Sequence, residues 1–102
     1  MNKKMIIDHR TYNIVVRKTP VFMKAFTEMC LPINRKYFGQ EVGIYLCEVG
    51  PQNQLIHMWH YEDYADYENK RKARDADPDW PAYLKATEGL LISQETKLIR
   101  KV

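Results

Sequence analysis

The chain has 102 residues, 45% of them hydrophobic, which favours a single domain over residues 1–102 with one modest core. Its formal charge of +3 is too small to indicate a nucleic-acid-binding protein. Its two cysteines are too few for a disulfide framework, and no apolar run has the length of a membrane span. We therefore expect a cytoplasmic protein that does not bind membranes.

The first third of the chain has the pattern of a strand followed by a helix. Residues 5–16 predict a strand, although neither of its faces is cleanly apolar. Thr19 and Pro20 suit the start of a helix, and Gly39 suits its end. Pro32 should kink the helix or make it restart. The apolar stripe of this helix consists of Phe22, Phe26, Met29, Cys30, Ile33 and Tyr37.

The remaining elements are a strand at residues 41–49, two helices and a last strand. Residues 62–77 predict a charged helix, acidic at its start and basic at its end, with a solvated outer face. Tyr64, Tyr67 and Ala73 are its predicted contacts with the sheet. Asp79 can cap a second helix, and residues 90–99 predict the last strand. The hairpin register leaves the face that Glu48 occupies undecided.

Residues 53–61 are predicted to form a strand, because the turn Gly50-Pro51-Gln52-Asn53 precedes a run of β-branched and aromatic residues. This strand is the most informative one about function. Side chains of a strand alternate between two faces. One face carries Leu55, His57, Trp59 and Tyr61, and the other carries Ile56, Met58 and His60. We predict that the second face packs against the helices and that another copy of the chain covers the first.

The predicted element order is β-α-β-β-α-α-β. Short, right-handed connections then favour a four-stranded antiparallel sheet with helices on one side, which is the ferredoxin-like α+β arrangement.

Several short motifs, in order along nearly the whole chain, resemble those of the NIPSNAP family in its short bacterial form. They are Arg10-Thr11-Tyr12, Leu31-Pro32, Arg35-Lys36, Val42-Gly43, Glu48, Gly50-Pro51, Asn53-Gln54, His57, Trp59, Tyr61, Ala65-Asp66, Asp77-Pro78-Asp79-Trp80, Tyr83-Leu84 and Ser93-Gln94-Glu95.

The resemblance implies a dimeric α+β barrel, in which two ferredoxin-like sheets face each other and the last strand helps to bind the partner. The superfamily includes cofactor-free monooxygenases, haem-degrading enzymes, small cyclases and isomerases. The family name implies the fold more directly than it implies an activity.

The predicted site is a pocket between the two sheets of the dimer. His57 is the candidate proton shuttle, since an ordinary histidine titrates near neutral pH. Arg10, Tyr12, Trp59 and Glu95 are the candidate ligand-binding residues. Arg10 could grip a carboxylate and Trp59 could stack on a planar ring, so we expect a small anionic or aromatic ligand. Equally, these groups could only satisfy one another across the dimer interface.

Other chemistries fit the sequence less well. His57 and His60 are three residues apart and point to opposite faces of a strand, so we expect no metal site. Cys30 and Arg35 have four residues between them rather than the five of a cysteine phosphatase loop. No glycine-rich nucleotide loop is present, and no cofactor is expected. The RNA-recognition fold has the same element order, but the third strand of this chain lacks the sequence motif with which that fold binds RNA.

The sequence therefore predicts a homodimer that binds a small organic molecule, with cofactor-independent proton transfer or oxygenase-like chemistry as its reaction. The alternative is a non-catalytic dimerisation or interaction module.

Overall fold

The computed structural model describes residues 5–102, so the first four residues of the predicted domain lie outside the described part. The chain forms one four-stranded antiparallel sheet in the order β2-β3-β1-β4, with the helices packed on one face. The predicted ferredoxin-like α+β class is confirmed. The elements are β1 Ile6–Ile14, α1 Thr19–Ala25, a π-helical segment Phe26–Cys30, α2 Leu31–Phe38, β2 Gly43–Leu46, β3 Gln54–Tyr61, α3 Tyr64–Asp75, α4 Trp80–Ala86 and β4 Leu91–Arg100.

The long first helix runs from α1 through the π-helical segment into α2. Pro32 offers no backbone N–H, and its ring conflicts with the carbonyl one turn earlier. The chain adapts by widening the preceding turn, in which the Leu31 N–H donates to the carbonyl of Phe26, five residues back. The predicted disturbance at Pro32 is thus a π-helical turn. Gly39 ends α2 with a φ of 85°, as its position predicted.

The inward face of β3 is the reverse of the predicted one. Leu55, His57, Trp59 and Tyr61 are buried beneath the helices of the same chain, whereas His60 is exposed on the open face of the sheet. The ring centroids of Phe26 and His57 are 5.0 Å apart, and those of Phe38 and Trp59 are 5.6 Å apart. Trp59 and Tyr61 therefore belong to the protomer's own core.

β1 presents its even-numbered residues to the same core. Tyr12 and Ile14 pack against the aromatic residues of the first helix, and Asp8 and Arg10 are buried beside them as an ion pair. The register pairs Arg10 with His57 on β3, so the two residues lie on one face of the sheet. Because this face carries both polar and apolar residues, the sequence pattern alone does not show that it points toward the core.

β4 is one of the two edge strands of the sheet. Among the described strands it pairs with β1 alone, and Ile92, Leu98 and Ile99 are 68%, 39% and 42% exposed. Ile99 lies opposite Ile7 on the open face, whereas Leu98 lies opposite Asp8 on the helical face. The helices therefore leave much of this strand uncovered.

Two further differences from the predicted elements concern β2 and α3. β2 ends at Leu46, so Glu48 lies in an exposed loop and occupies neither face of a strand. On α3, Tyr67 contacts the core as predicted, but Tyr64 and Ala73 are exposed and Arg74 is buried instead. Among the described residues, no helix combines the length and apolar character needed to cross a membrane.

Candidate functional site

A cavity of about 530 Å³ lies within the protomer, between the helical face of the sheet and helices α3 and α4. β1 and β4 supply its floor, and the two helices supply its walls. This volume falls within the range of small-molecule sites. Arg10 and Tyr12 were predicted to line a pocket between two protomers. They instead line a cavity inside one protomer.

Three arginines line the cavity: Arg10 from β1, and Arg71 and Arg74 from α3. Asp75 is the one lining carboxylate among the described residues, and its Oδ1 accepts a hydrogen bond of 2.8 Å from Arg74 Nε. Burial alone would lower the pKa of Arg10, but the hydrogen bonds and charge of Asp8 outweigh it and raise that pKa. The cavity wall is therefore cationic.

Rings and aliphatic groups form the rest of the wall. Tyr12 and Tyr83 are buried, while Trp80, Leu84 and Leu91 lie nearer the opening. The Trp80 and Tyr83 ring centroids are 5.0 Å apart. Thr87 and Gln94 complete the lining with polar side chains. The cavity thus combines a positive end with apolar walls, a combination suited to an amphipathic anion.

The cavity floor also contains hydroxyl groups that stay protonated. Burial raises the pKa of Tyr12 and of Tyr83, and the nearby Cys30 thiol adds to the effect on Tyr83. Burial likewise raises the pKa of Cys30 to about 11. Neither the two phenols nor the thiol is ionised near neutral pH, so they can act as hydrogen-bonding groups but not as bases or as an activated nucleophile.

His57 lies behind the cavity wall. Its Nδ1 accepts a 2.8 Å hydrogen bond from Trp59 Nε1, which leaves the proton on Nε2. Burial lowers the pKa of His57 to about 3, with the positive charges of Arg10 and Arg74 adding to the effect. The imidazole is therefore neutral at pH 7. This removes the near-neutral titration on which the proposed proton-shuttle role was based.

The five predicted site residues are not brought together. Arg10 and Tyr12 line the cavity, whereas His57 and Trp59 lie in the adjoining core. Glu95 pairs with Thr11 on the open face of the sheet, the side opposite to Arg10. Their roles as ligand-binding residues remain predictions.

Most of the cavity residues were not among the predicted site residues, and they include Arg71, Arg74, Trp80 and Tyr83. The spacing of Tyr67, Arg71 and Arg74 places all three on one face of α3, and Tyr67 was already a predicted sheet contact. That spacing was the available signal. It was overlooked because a basic end of a helix is usually solvated.

Comparison with known proteins gives consistent relatives. A protein from Agrobacterium tumefaciens described as a NIPSNAP family protein has a TM-score of 0.94 and 26% identity, with 100% of this chain and 90% of that chain covered. A NIPSNAP-like domain protein from Burkholderia xenovorans has a TM-score of 0.91 and 27% identity, with 99% and 88% covered. A protein from Nitrosomonas europaea, described as a candidate antibiotic biosynthesis monooxygenase, shares the fold with a TM-score of 0.69 and 9% identity, over 100% and 94% of the two chains.

A curated relative from Dictyostelium discoideum, "Protein NipSnap homolog", is 32% identical over 65 residues. The match covers 64% of this chain but only 29% of that relative's length. The NIPSNAP family model matches residues 7–102, which is nearly the whole chain and includes the cavity residues of all four contributing elements. The chain therefore belongs to the NIPSNAP family.

Proposed function

We propose that the protein binds a small organic molecule in the cavity between its sheet and helices α3 and α4. The observation that carries this proposal is the buried, cationic and ring-lined character of the cavity, with Arg10, Tyr12, Arg74 and Tyr83 all largely buried around it. Three guanidinium groups converge on one opening that has a single lining carboxylate among the described residues, and this excess of positive charge supports recognition of an anion.

The proposed function is binding, without proton transfer by His57. Its imidazole is neutral at pH 7 and does not line the cavity. The lining phenols hold their protons for the same physical reason, which is burial. Oxygenase-like chemistry has the fold of the Nitrosomonas europaea protein in its favour, but 9% identity relates the two proteins by fold alone.

Thr87→Trp is expected to abolish binding of the hits from a thermal-shift screen of organic acids and their neutral analogues. Thr87 lines the cavity beside α4, so a larger side chain there would occupy the binding space. Glu88→Trp is the matched control, because Glu88 is the next residue, is exposed and does not line the cavity.

Equal loss of binding in both variants, or retained binding in Thr87→Trp, would contradict the proposal. A screen that yields no hit for the wild-type protein, together with an intact dimer, would favour the alternative of a non-catalytic interaction module.

We further propose that a second copy of the chain covers the open face of the sheet. The support is the ten-residue edge strand β4, exposed along most of its length, with Ile92 and Ile99 among its exposed side chains. On the same face the Nδ1 atom of His9 is buried without a hydrogen-bond partner among the described residues. A long exposed strand with aliphatic side chains favours association with another protein surface.

Ile99→Glu is expected to convert the dimer into a monomer in sedimentation velocity at low micromolar concentration, because a carboxylate would be buried in the interface. Ala73→Glu, on the exposed side of α3, should leave the dimer intact. A wild-type protein that sediments as a folded monomer would refute this part of the proposal.

A further inference from the structure

The three cavity arginines differ in what already neutralises them. Arg10 Nε donates to both oxygens of Asp8 at 3.0 Å, and its Nη2 lies 2.9 Å from Asp8 Oδ2. Asp8 is fully buried and Arg10 is only 9% exposed, so solvent screens this pair weakly. Arg10 therefore contributes a fixed and compensated charge to the cavity floor.

Arg74 is held equally firmly. Its Nε donates to Asp75, its Nη1 donates to Asn34 Oδ1 at 2.9 Å, and its guanidinium lies 3.9 Å from the centroid of the Trp80 ring. Stacking on Trp80 occupies one flat face of the guanidinium, and the two hydrogen bonds fix its plane. Little of this group remains available to a ligand.

Arg71 is the exception. Its Nη1 donates to the hydroxyl of Tyr67 at 3.1 Å, and within residues 5–102 no carboxylate forms an ion pair with it. Its Nε is buried, and no hydrogen-bond acceptor reaches it from the described part of the chain. A buried guanidinium N–H without an acceptor is uncommon in a native protein, and it marks the place where an anionic group would be stabilised.

We infer that Arg71 is the specificity-determining residue of the cavity and that the ligand is an organic monocarboxylate with an apolar body. This inference rests on the proposed binding function. The planar guanidinium matches a carboxylate in a two-point contact. One uncompensated cation matches one negative charge, whereas a phosphate monoester would bring a second charge. Leu84, Leu91 and Tyr83 would contact the apolar body of the ligand.

Matched probes separate this inference from the binding function itself. The probes are 2-naphthoate, 2-naphthamide and 2-naphthyl phosphate, measured by calorimetric titration. The wild-type protein is expected to bind the carboxylate at least about tenfold more tightly than the amide or the phosphate. Arg71→Gln is expected to weaken carboxylate binding by at least about tenfold and to leave amide binding unchanged. Arg71→Lys should retain part of the preference for the carboxylate, because it keeps the positive charge but loses the planar guanidinium that makes the two-point contact.

Two variants control for indirect effects. Lys72→Gln removes one positive charge from the adjacent, exposed position on α3, which does not line the cavity, and it should change nothing. Tyr67→Phe removes the acceptor of Arg71 Nη1 without removing the charge, and it should preserve the preference for the carboxylate.

Several results would overturn the inference. These are equal binding of carboxylate and amide, tighter binding of the phosphate, or an unchanged preference in both Arg71 variants. Each of them would leave the cavity as a binding site; the first two would refute the monocarboxylate ligand, and the third would refute the role of Arg71. Failure of all three probes to bind the wild-type protein would instead overturn the inference and the proposed function together.

Discussion

Asp8→Asn is expected to lower the free energy of unfolding by about 3–5 kcal/mol, the range for breaking a buried ion pair by removal of one partner. The reason is the position of Arg10. Its guanidinium is buried beneath the helices and takes its compensation from Asp8, whose side chain is fully buried. An asparagine in this place would leave a positive charge in the core without a counter-charge. Denaturation in urea, followed by far-UV circular dichroism, measures the loss.

The ion pair between Lys24 and Glu28 provides a matched control. Its atoms are 3.0 Å apart, close to the separation in the Asp8–Arg10 pair, but both side chains are largely exposed. Exposed pairs contribute little to stability, so Glu28→Gln should have an effect close to zero. If the two substitutions have equally small effects, the buried pair does not stabilise the packing of β1 against the helices as described above.

The second large effect is a dependence of stability on pH that originates at His57. The pKa of His57 is lowered from 6.5 to about 3 because burial disfavours the charged ring. Between these values the unfolded chain binds a proton that the folded chain does not. The free energy of unfolding therefore falls as the pH is lowered from about 6.5 towards 3, by about 1.4 kcal/mol per pH unit from this residue in the middle of the range.

His57→Asn should remove this contribution while keeping an oxygen that can accept the Trp59 N–H. The measurement is the free energy of unfolding at several pH values, and the expected result is a shallower slope for the variant than for the wild type. An identical slope in His57→Asn would mean that the imidazole is accessible to protons in the folded protein.

The fold could be predicted because its signals are local. The turn residues Gly50 and Asn53 adopt positive φ angles of 124° and 59°, as a hairpin connection there requires. Asp63 caps α3 by accepting the N–H of Asp66 at 2.8 Å, and the helix begins at Tyr64, two residues after the predicted start at Glu62. With the element order known, few chain topologies remain, and the ferredoxin-like sheet is one of them.

The orientation of β3 could not be predicted from its own residues. Both of its faces carry large side chains, and hydrophobicity alone favoured Ile56 and Met58 as the core. The deciding factor is the set of partners on other elements: Phe26 and Phe38 offer ring edges and faces to His57 and Trp59, and Trp59 donates its N–H to His57. This hydrogen bond satisfies the Trp59 N–H and His57 Nδ1 together, which lowers the cost of burying both rings.

The sequence does not predict the cavity, for a related reason. Arg71 and Arg74 have the composition of a solvated helix end, and only the packing of α3 over β1 shows that they converge with Arg10. That convergence joins residues 10, 71 and 74, which local sequence patterns cannot relate. The sequence predicts Arg10 and Tyr12 as ligand-binding residues of a pocket between two protomers, and their shared face of one strand is a local relationship.

The most direct test of ligand binding inside the protomer uses the two tryptophan indole signals in a ¹H–¹⁵N correlation spectrum during titration with 2-naphthoate. Trp80 is on the cavity wall, whereas Trp59 is in the core and bonded to His57. Trp80→Phe assigns the two signals. The account predicts a saturable shift of the Trp80 signal with little change in the Trp59 signal, and a titration in which the Trp80 signal stays still while naphthoate binds would contradict it.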